Sequence, residues 1–128
     1  MKTNQTMKKL LTILCLVLLV SCSPPDGLYE TFYENGQLQV RTNFIDGVQV
    51  GLYETFYDNG QLWTRENWID GERDGLWEIF YENGQLMKRG TLKDGEQDGL
   101  YEEFDEDGNL TKTETWENGE VVEYNLNP

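Results

Sequence analysis

The chain has 128 residues, 24 of them acidic against ten basic, giving a formal net charge of −14 at pH 7, and it contains no histidine. A surface this acidic repels phosphate backbones and anionic headgroups, which excludes nucleic acid as a ligand and leaves a basic protein or divalent cations as charge-matched partners. Its two cysteines, Cys15 and Cys22, both lie near the N-terminus, so the remainder cannot assemble a Ser-His-Asp or Cys-His nucleophile or an ordinary zinc site.

Residues 1–21 read as a leader removed from the folded protein. Lys2, Lys8 and Lys9 make a basic start, and Leu10 to Val20 is an 11-residue apolar run broken only by Thr12 and Cys15. That length suits a signal-peptide core and is too short to span a bilayer. The pattern is complete from Met7, so the start is left open between Met1 and Met7. The run closes on Leu19-Val20-Ser21-Cys22, which resembles a bacterial lipobox. The resemblance implies that Cys22 takes a diacylglyceryl group and becomes the mature N-terminus, lipid-anchored in the cell envelope and facing periplasm or exterior. Whether the inner or outer membrane holds it is left open. Residues 22–26 are then a lipidated tether.

From Gly27 to the C-terminus the chain repeats itself. Gly27, Gly51, Gly75 and Gly99 stand 24 residues apart, and each opens a copy of one phrase: GLYETFYENGQL, GLYETFYDNGQL, GLWEIFYENGQL and GLYEEFDEDGNL. The copies span 27–50, 51–74, 75–98 and 99–122, within a domain of 27–128. Each closes on Asp46-Gly47, Asp70-Gly71, Asp94-Gly95 or Asn118-Gly119. A fixed period of this length means one supersecondary unit stacked on copies of itself.

Within a copy, Leu52 to Tyr57 is aromatic and β-favouring, and Asn59-Gly60 follows as a hairpin signal. A two-residue type I′ turn there pairs Tyr57 with Leu62, Phe56 with Trp63 and Glu54 with Arg65. The same register sets Glu30 against Arg41 and Glu78 against Arg89, and only Glu102 meets an uncharged partner, Thr113. Alternation puts Tyr53, Thr55, Tyr57, Leu62, Thr64 and Trp68 on one face and Leu52, Glu54, Phe56, Trp63, Arg65 and Ile69 on the other. All glycines read as turn residues. The expected fold is all-β: an elongated, single-layer antiparallel meander of four 24-residue hairpins and about eight strands, with edges near Leu28 and Val121–Tyr124. Aromatic ladders replace a core. The fourth copy, with Asp105, Asp107, Thr113 and Glu117, reads as a polar cap.

The repeated Gly-x-Tyr/Trp-Glu-x-Phe-Tyr-x-Asn-Gly-Gln-Leu unit with its Asp-Gly linker resembles the MORN-repeat variant of bacterial proteins, including antitoxins of the YwqK type. The resemblance implies a non-enzymatic repeat module, here in lipoprotein form, that needs no cofactor.

Two features invite a site. Glu103, Asp105, Asp107 and Glu114 follow the ligand spacing of an EF-hand calcium loop. Position 1 is Glu, however, no helix flanks the run, and Gly108 and Leu110 already match the columns of Gly84 and Leu86. The run reads as an acidic hairpin turn, and no metal site is assigned. Second, Tyr29, Tyr53, Trp77 and Tyr101 form one aromatic column, and Phe44, Trp68 and Trp116 another, interrupted by Leu92. Such columns bind glycans or extended peptides when exposed, and otherwise pack to hold a coreless sheet. Packing is the favoured reading. The chain is expected to be a membrane-anchored scaffold that binds an unidentified protein through its sheet face or edge. Alternatives are an antitoxin that masks a toxin and an envelope glycan-binding lipoprotein.

Overall fold

The computed structural model describes residues 26–126; the leader, Cys22 and the tether through Pro25 lie outside them. Ten strands follow the chain: β1 Gly27–Phe32, β2 Leu38–Ile45, β3 Val48–Phe56, β4 Leu62–Ile69, β5 Glu72–Phe80, β6 Leu86–Lys93, β7 Glu96–Gln97, β8 Gly99–Phe104, β9 Leu110–Glu117 and β10 Glu120–Leu126. They form one antiparallel sheet in chain order, with the short β7 paired to β6 beside β8. The sheet does not close, so β1 and β10 are its edges. The count exceeds eight because the Asn118-Gly119 turn launches β10 and because Asp98, whose N–H donates to Thr91 O at 2.9 Å, separates β7 from β8.

There is no enclosed core. Leu92 is the only buried hydrophobic among the described residues, and none of their large side chains is fully buried. A single layer leaves each side chain half in contact with its cross-strand neighbours, so those pairs stabilise the sheet.

The two kinds of turn exchange the roles that the sequence suggests. Positive φ at both turn residues occurs at Asp46-Gly47, Asp70-Gly71, Asp94-Gly95 and Asn118-Gly119, and these form the two-residue hairpins, with Ile45 opposite Val48 in the first. Asp and Asn tolerate this region better than other side-chain-bearing residues. At Asn59-Gly60 only the glycine has positive φ, +86°. Gly60 N donates to Tyr57 O at 3.0 Å and Tyr57 N to Gln61 O at 2.8 Å, a three-residue loop with glycine in the left-handed position. Phe56 therefore pairs with Leu62, not Trp63, and a bulge restores Thr55 to Thr64 and Glu54 to Arg65. The bulged residue is Trp63. Its ring reaches Tyr57 with centroids 5.6 Å apart, although strict alternation sets them on opposite faces.

The glycines are not all turn residues either. Gly51 has φ +75° inside β3, where Gly51, Leu52 and Tyr53 together stand against Thr42 of β2. Glu123, 24 residues after Gly99, lacks that freedom, and the β9–β10 bulge shrinks to one extra residue, Val122. Gly90 is in β6 and has no positive φ.

Candidate functional site

On one face, cross-strand pairing assembles a charge ladder. Glu30 pairs with Arg41 and Arg41 with Glu54; Arg65 is opposite both Glu54 and Glu78, and Arg89 opposite both Glu78 and Glu102. Acid and base thus alternate across seven strands. Contacts are 2.8 Å for Arg41–Glu30, 3.8 Å for Arg41–Glu54, 3.1 Å for Arg65–Glu54 and 3.5 Å for Arg65–Glu78. Arg89 bonds Glu102, which raises its pKa. The sequence shows the pairs within each hairpin. The pairs between hairpins need two further facts. The two-residue register of the Asp-Gly turns alone would set Arg41 opposite Leu52; the bulge of Gly51 to Tyr53 against Thr42 moves Arg41 to Glu54, and its equivalent in the next unit moves Arg65 to Glu78. A network of this kind stabilises more than isolated surface pairs, which contribute about 0–1 kcal/mol each.

Rows of side chains flank this ladder. Leu28, Leu52, Leu76 and Leu100 repeat beside it at 61%, 50%, 51% and 51% exposure. On the other side runs the phenylalanine column, where Arg89 lies over the Phe104 ring at 5.7 Å.

The opposite face carries the predicted aromatic columns. Tyr29 meets Phe44 edge-on at 6.1 Å, Tyr53 meets Trp68 at 6.4 Å, and Trp77 meets Tyr101 at 5.8 Å. Of the seven rings in those columns, Tyr29 alone is exposed; Phe44, Tyr53, Trp68, Trp77, Tyr101 and Trp116 are half-buried. Trp116 Nε1 donates to Glu114 at 3.1 Å. The columns are engaged with one another, which is what holds a coreless sheet together.

Along the Asn-Gly turns runs a third row. The hydroxyls of Tyr33, Tyr57 and Tyr81 donate to the carbonyls of Phe56, Phe80 and Phe104 at 2.8–2.9 Å. The side-chain amides of Asn35, Asn59 and Asn83 donate to the carbonyls of Asp58, Glu82 and Glu106. Each bond links one repeat to the next, 23 residues ahead. The fourth copy ends the series: Asp105 and Asp107 replace Tyr and Asn, and the Asp105 carboxylate accepts from Asp107 N at 3.0 Å and Asn109 N at 2.8 Å. Bonds from Asn109, side chain first, lower the Asp105 pKa.

The EF-hand-spaced acids are dispersed by the same geometry. Asp105 caps its own turn, Glu103 accepts from Tyr101 and lies 3.6 Å from both Lys88 and Lys112, and Glu114 lies 2.8 Å from Lys112. No group of three or more acidic ligands among the described residues converges to hold a metal ion. Cys22 lies outside the described residues. Open hollows of about 420 Å³ beside Tyr57, Tyr81 and Glu82, and about 290 Å³ beside Ile69, Asp70 and Asp94, are shallow gaps between successive turns.

An open sheet of near-identical hairpins, each hydrogen-bonded to the next through Tyr and Asn, defines a repeat module. The chain belongs to the MORN repeat variant family, whose model matches residues 25–46, 49–70, 73–94 and 97–118. No curated protein matches it in sequence. Among solved structures it is similar to TarM, with 14% identity and a TM-score of 0.46 over 77% of this chain and 20% of that one. A point mutant of S. aureus TarM with fondaparinux, alpha-GlcNAc-glycerol and UDP matches at 14% identity and a TM-score of 0.47, covering 74% and 19%. The accessory secretory protein 1, 2 and 3 structure of Streptococcus pneumoniae matches at 13% identity and 0.45, covering 81% and 19%. The chain thus spans about one fifth of each of these larger chains.

Proposed function

We propose that this protein is a non-enzymatic scaffold, held at a membrane by lipid on Cys22, that binds a protein partner through its sheet edge or face. The observation that carries the reading is the open sheet with two unpaired edges, β1 and β10. Unpaired edges offer rows of backbone donors and acceptors, and strand addition is a recurring mode of protein recognition. Catalysis has no evident seat in this arrangement. The ladder glutamates are paired with arginines, Asp105 caps its own turn, and the aromatic columns pack on each other.

The anchor rests on the apolar run and the Leu19-Val20-Ser21-Cys22 boundary. Among the described residues no helix is long and apolar enough to cross a membrane. In this reading the attachment is the lipid on Cys22. Four residues, Ser23 to Asp26, separate Cys22 from Gly27, a reach over five Cα steps of at most about 18 Å, which keeps β1 near the bilayer. The antitoxin role implied by the family resemblance is the special case in which the partner is a toxin acting outside the cytoplasm.

The test is photo-crosslinking of the lipoprotein in its native envelope, with a crosslinker at Thr31 on β1 and, separately, at Leu76 on the sheet face. A discrete adduct of one protein at either position supports the scaffold. Absence of any protein adduct at both positions refutes it.

A further inference from the structure

The two edges of the sheet differ in what they lack. Each interior strand that opens a repeat receives the same contacts from the hairpin before it. In β3, Glu54 faces Arg41, the Phe56 carbonyl accepts the Tyr33 hydroxyl, and the Asp58 carbonyl accepts the Asn35 amide. The preceding glutamine covers the turn glycine as well: a Cβ on Gly60 would lie 2.9 Å from Gln37 Oε1, and one on Gly84 3.2 Å from Gln61 Oε1. Strand β5 is served in the same way by Arg65, Tyr57 and Asn59.

Strand β1 presents the receiving half of this set. It carries Glu30 and Phe32, followed by Glu34 and Gly36 at the equivalent turn positions. Glu30 is paired with Arg41 from the β2 side, whereas Glu54 has Arg41 on one side and Arg65 on the other. Among the described residues no tyrosine hydroxyl reaches the Phe32 carbonyl and no amide the Glu34 carbonyl. A Cβ on Gly36 would meet nothing within 4 Å. The C-terminal edge offers no such half-site, since Asp105 has turned its carboxylate onto its own loop and β10 lies beyond it.

We propose that the β1 edge is the recognition edge, and that its occupant is a β-hairpin of a different polypeptide whose returning strand places Arg or Lys opposite Glu30. This rests on the scaffold reading and names its partner's chemistry. A second copy of this chain does not fit. The edge strands it would offer, GLYETF in β1 and EVVEYNL in β10, contain no cation, so any edge-to-edge pairing leaves Glu30 without one. The overall charge of −14 disfavours self-association in the same sense. A basic hairpin supplies the missing rung of the ladder and donors for the Phe32 and Glu34 carbonyls.

The probe is a fluorescein-labelled synthetic peptide of residues 51–69, which contains a complete hairpin with Tyr57, Asn59 and Arg65. It is titrated against the full lipidated chain in detergent. We expect this peptide to bind about fivefold more tightly than its Arg65→Glu version, the scale of a cross-strand charge pair. On Glu30→Arg protein the order should reverse. On Glu30→Gln protein, which adds no charge beside Arg41 and so guards against misfolding, the two peptides should bind equally. A peptide that does not bind, or a preference that ignores residue 30, overturns the proposal. The crosslinking experiment separates this from the broader reading: an envelope adduct at Leu76 but not Thr31 removes the edge proposal and keeps the scaffold, whereas none at either position removes both.

Discussion

Gly90 and Trp77 make the sharpest stability test. They are cross-strand partners in β5 and β6, at the place where the first repeat has Thr42 opposite Tyr29. A Cβ on Gly90 would lie 2.9 Å from both Cε2 and Cζ2 of the Trp77 indole and 2.5 Å from Gln97 Nε2. Gln97 is flexible at its end and can move. The indole is rigid and packed against Tyr101, so Gly90→Ala forces a ring or strand shift of the overpacking kind, costing about 1–3 kcal/mol. Replacing a strand glycine returns about 0.5–1 kcal/mol of backbone entropy. The net is a loss of about 0.5–2 kcal/mol, with melting lowered by about 4–8 °C per kcal/mol for a domain of this size. Trp77→Tyr alone leaves space over Gly90 and should cost less than the about 3–5 kcal/mol of a Trp-to-Ala truncation. The double variant Gly90→Thr with Trp77→Tyr rebuilds the Tyr29–Thr42 pair and should be more stable than the sum of the single changes by about 1 kcal/mol. Urea unfolding of wild type, Gly90→Ala, Gly90→Thr, Trp77→Tyr and the double variant measures this. A Gly90→Ala protein as stable as wild type, or changes that simply add, would refute the steric argument.

Tyr57→Phe removes the hydroxyl bonded to Phe80 O at 2.8 Å and should cost about 0.5–1.5 kcal/mol, with Tyr33→Phe and Tyr81→Phe similar and roughly additive in combination. Unchanged denaturation midpoints would show that these bonds merely accompany packing. Glu103 is held below its ordinary pKa of 4.5, by the Tyr101 hydroxyl above all and by Lys88 and Lys112 behind it. Its ionised form is therefore favoured by folding, and its contribution is complete above pH 4.5 and lost as pH falls through the lowered folded value. The stability gap between wild type and Glu103→Gln should accordingly close in acid, and a gap that widens below pH 4.5 would contradict the assignment. Cys22→Ser should abolish incorporation of radiolabelled palmitate, and a wild-type protein that takes up no label removes the lipid anchor.

How much of this was legible without coordinates follows from what each signal depends on. The period, the edges and the Glu–Arg pairs within hairpins follow from composition and spacing, because alternation and registered charges constrain a strand pair directly. The Asn-Gly turns misled because the dipeptide suits two loops. In the left-handed position one glycine suffices, and Asn59 uses its side chain instead, accepting Gln61 N and donating to Glu82 O. The fourth copy keeps the same loop without that partner, Asp105 N donating to Asn109 O at 2.9 Å and Gly108 N to Asp105 O at 3.0 Å, so the five-residue turn as a whole, and not the dipeptide, sets the type. Trp63 went to the wrong face for the same reason, since the three-residue loop demands a bulge. Gly90 was taken for punctuation because its reason is the bulk of a ring on the neighbouring strand. Among the site residues, the aromatic columns were visible as columns, but their engagement with one another depends on the pairing across each bulge.

The ladder also disfavours end-to-end stacking of this open sheet with its exposed leucines. Interior rungs alternate in sign, so Glu54 and Glu78 each have a basic neighbour in register on either side, and Glu102 has Arg89 on one side and Thr113 on the other. The terminal strands break that rule in the same direction. Strand β1 ends the ladder on Glu30, and β10 carries Glu120 and Glu123 with no base. Two such edges brought together align acid with acid or with nothing, which removes the electrostatic part of strand pairing and leaves an unpaired charge beside the new backbone bonds. A strand that carries a cation in the right register escapes this penalty. On the proposal above, the charge arrangement that disfavours edge-to-edge pairing of two copies favours a partner strand with a cation opposite Glu30.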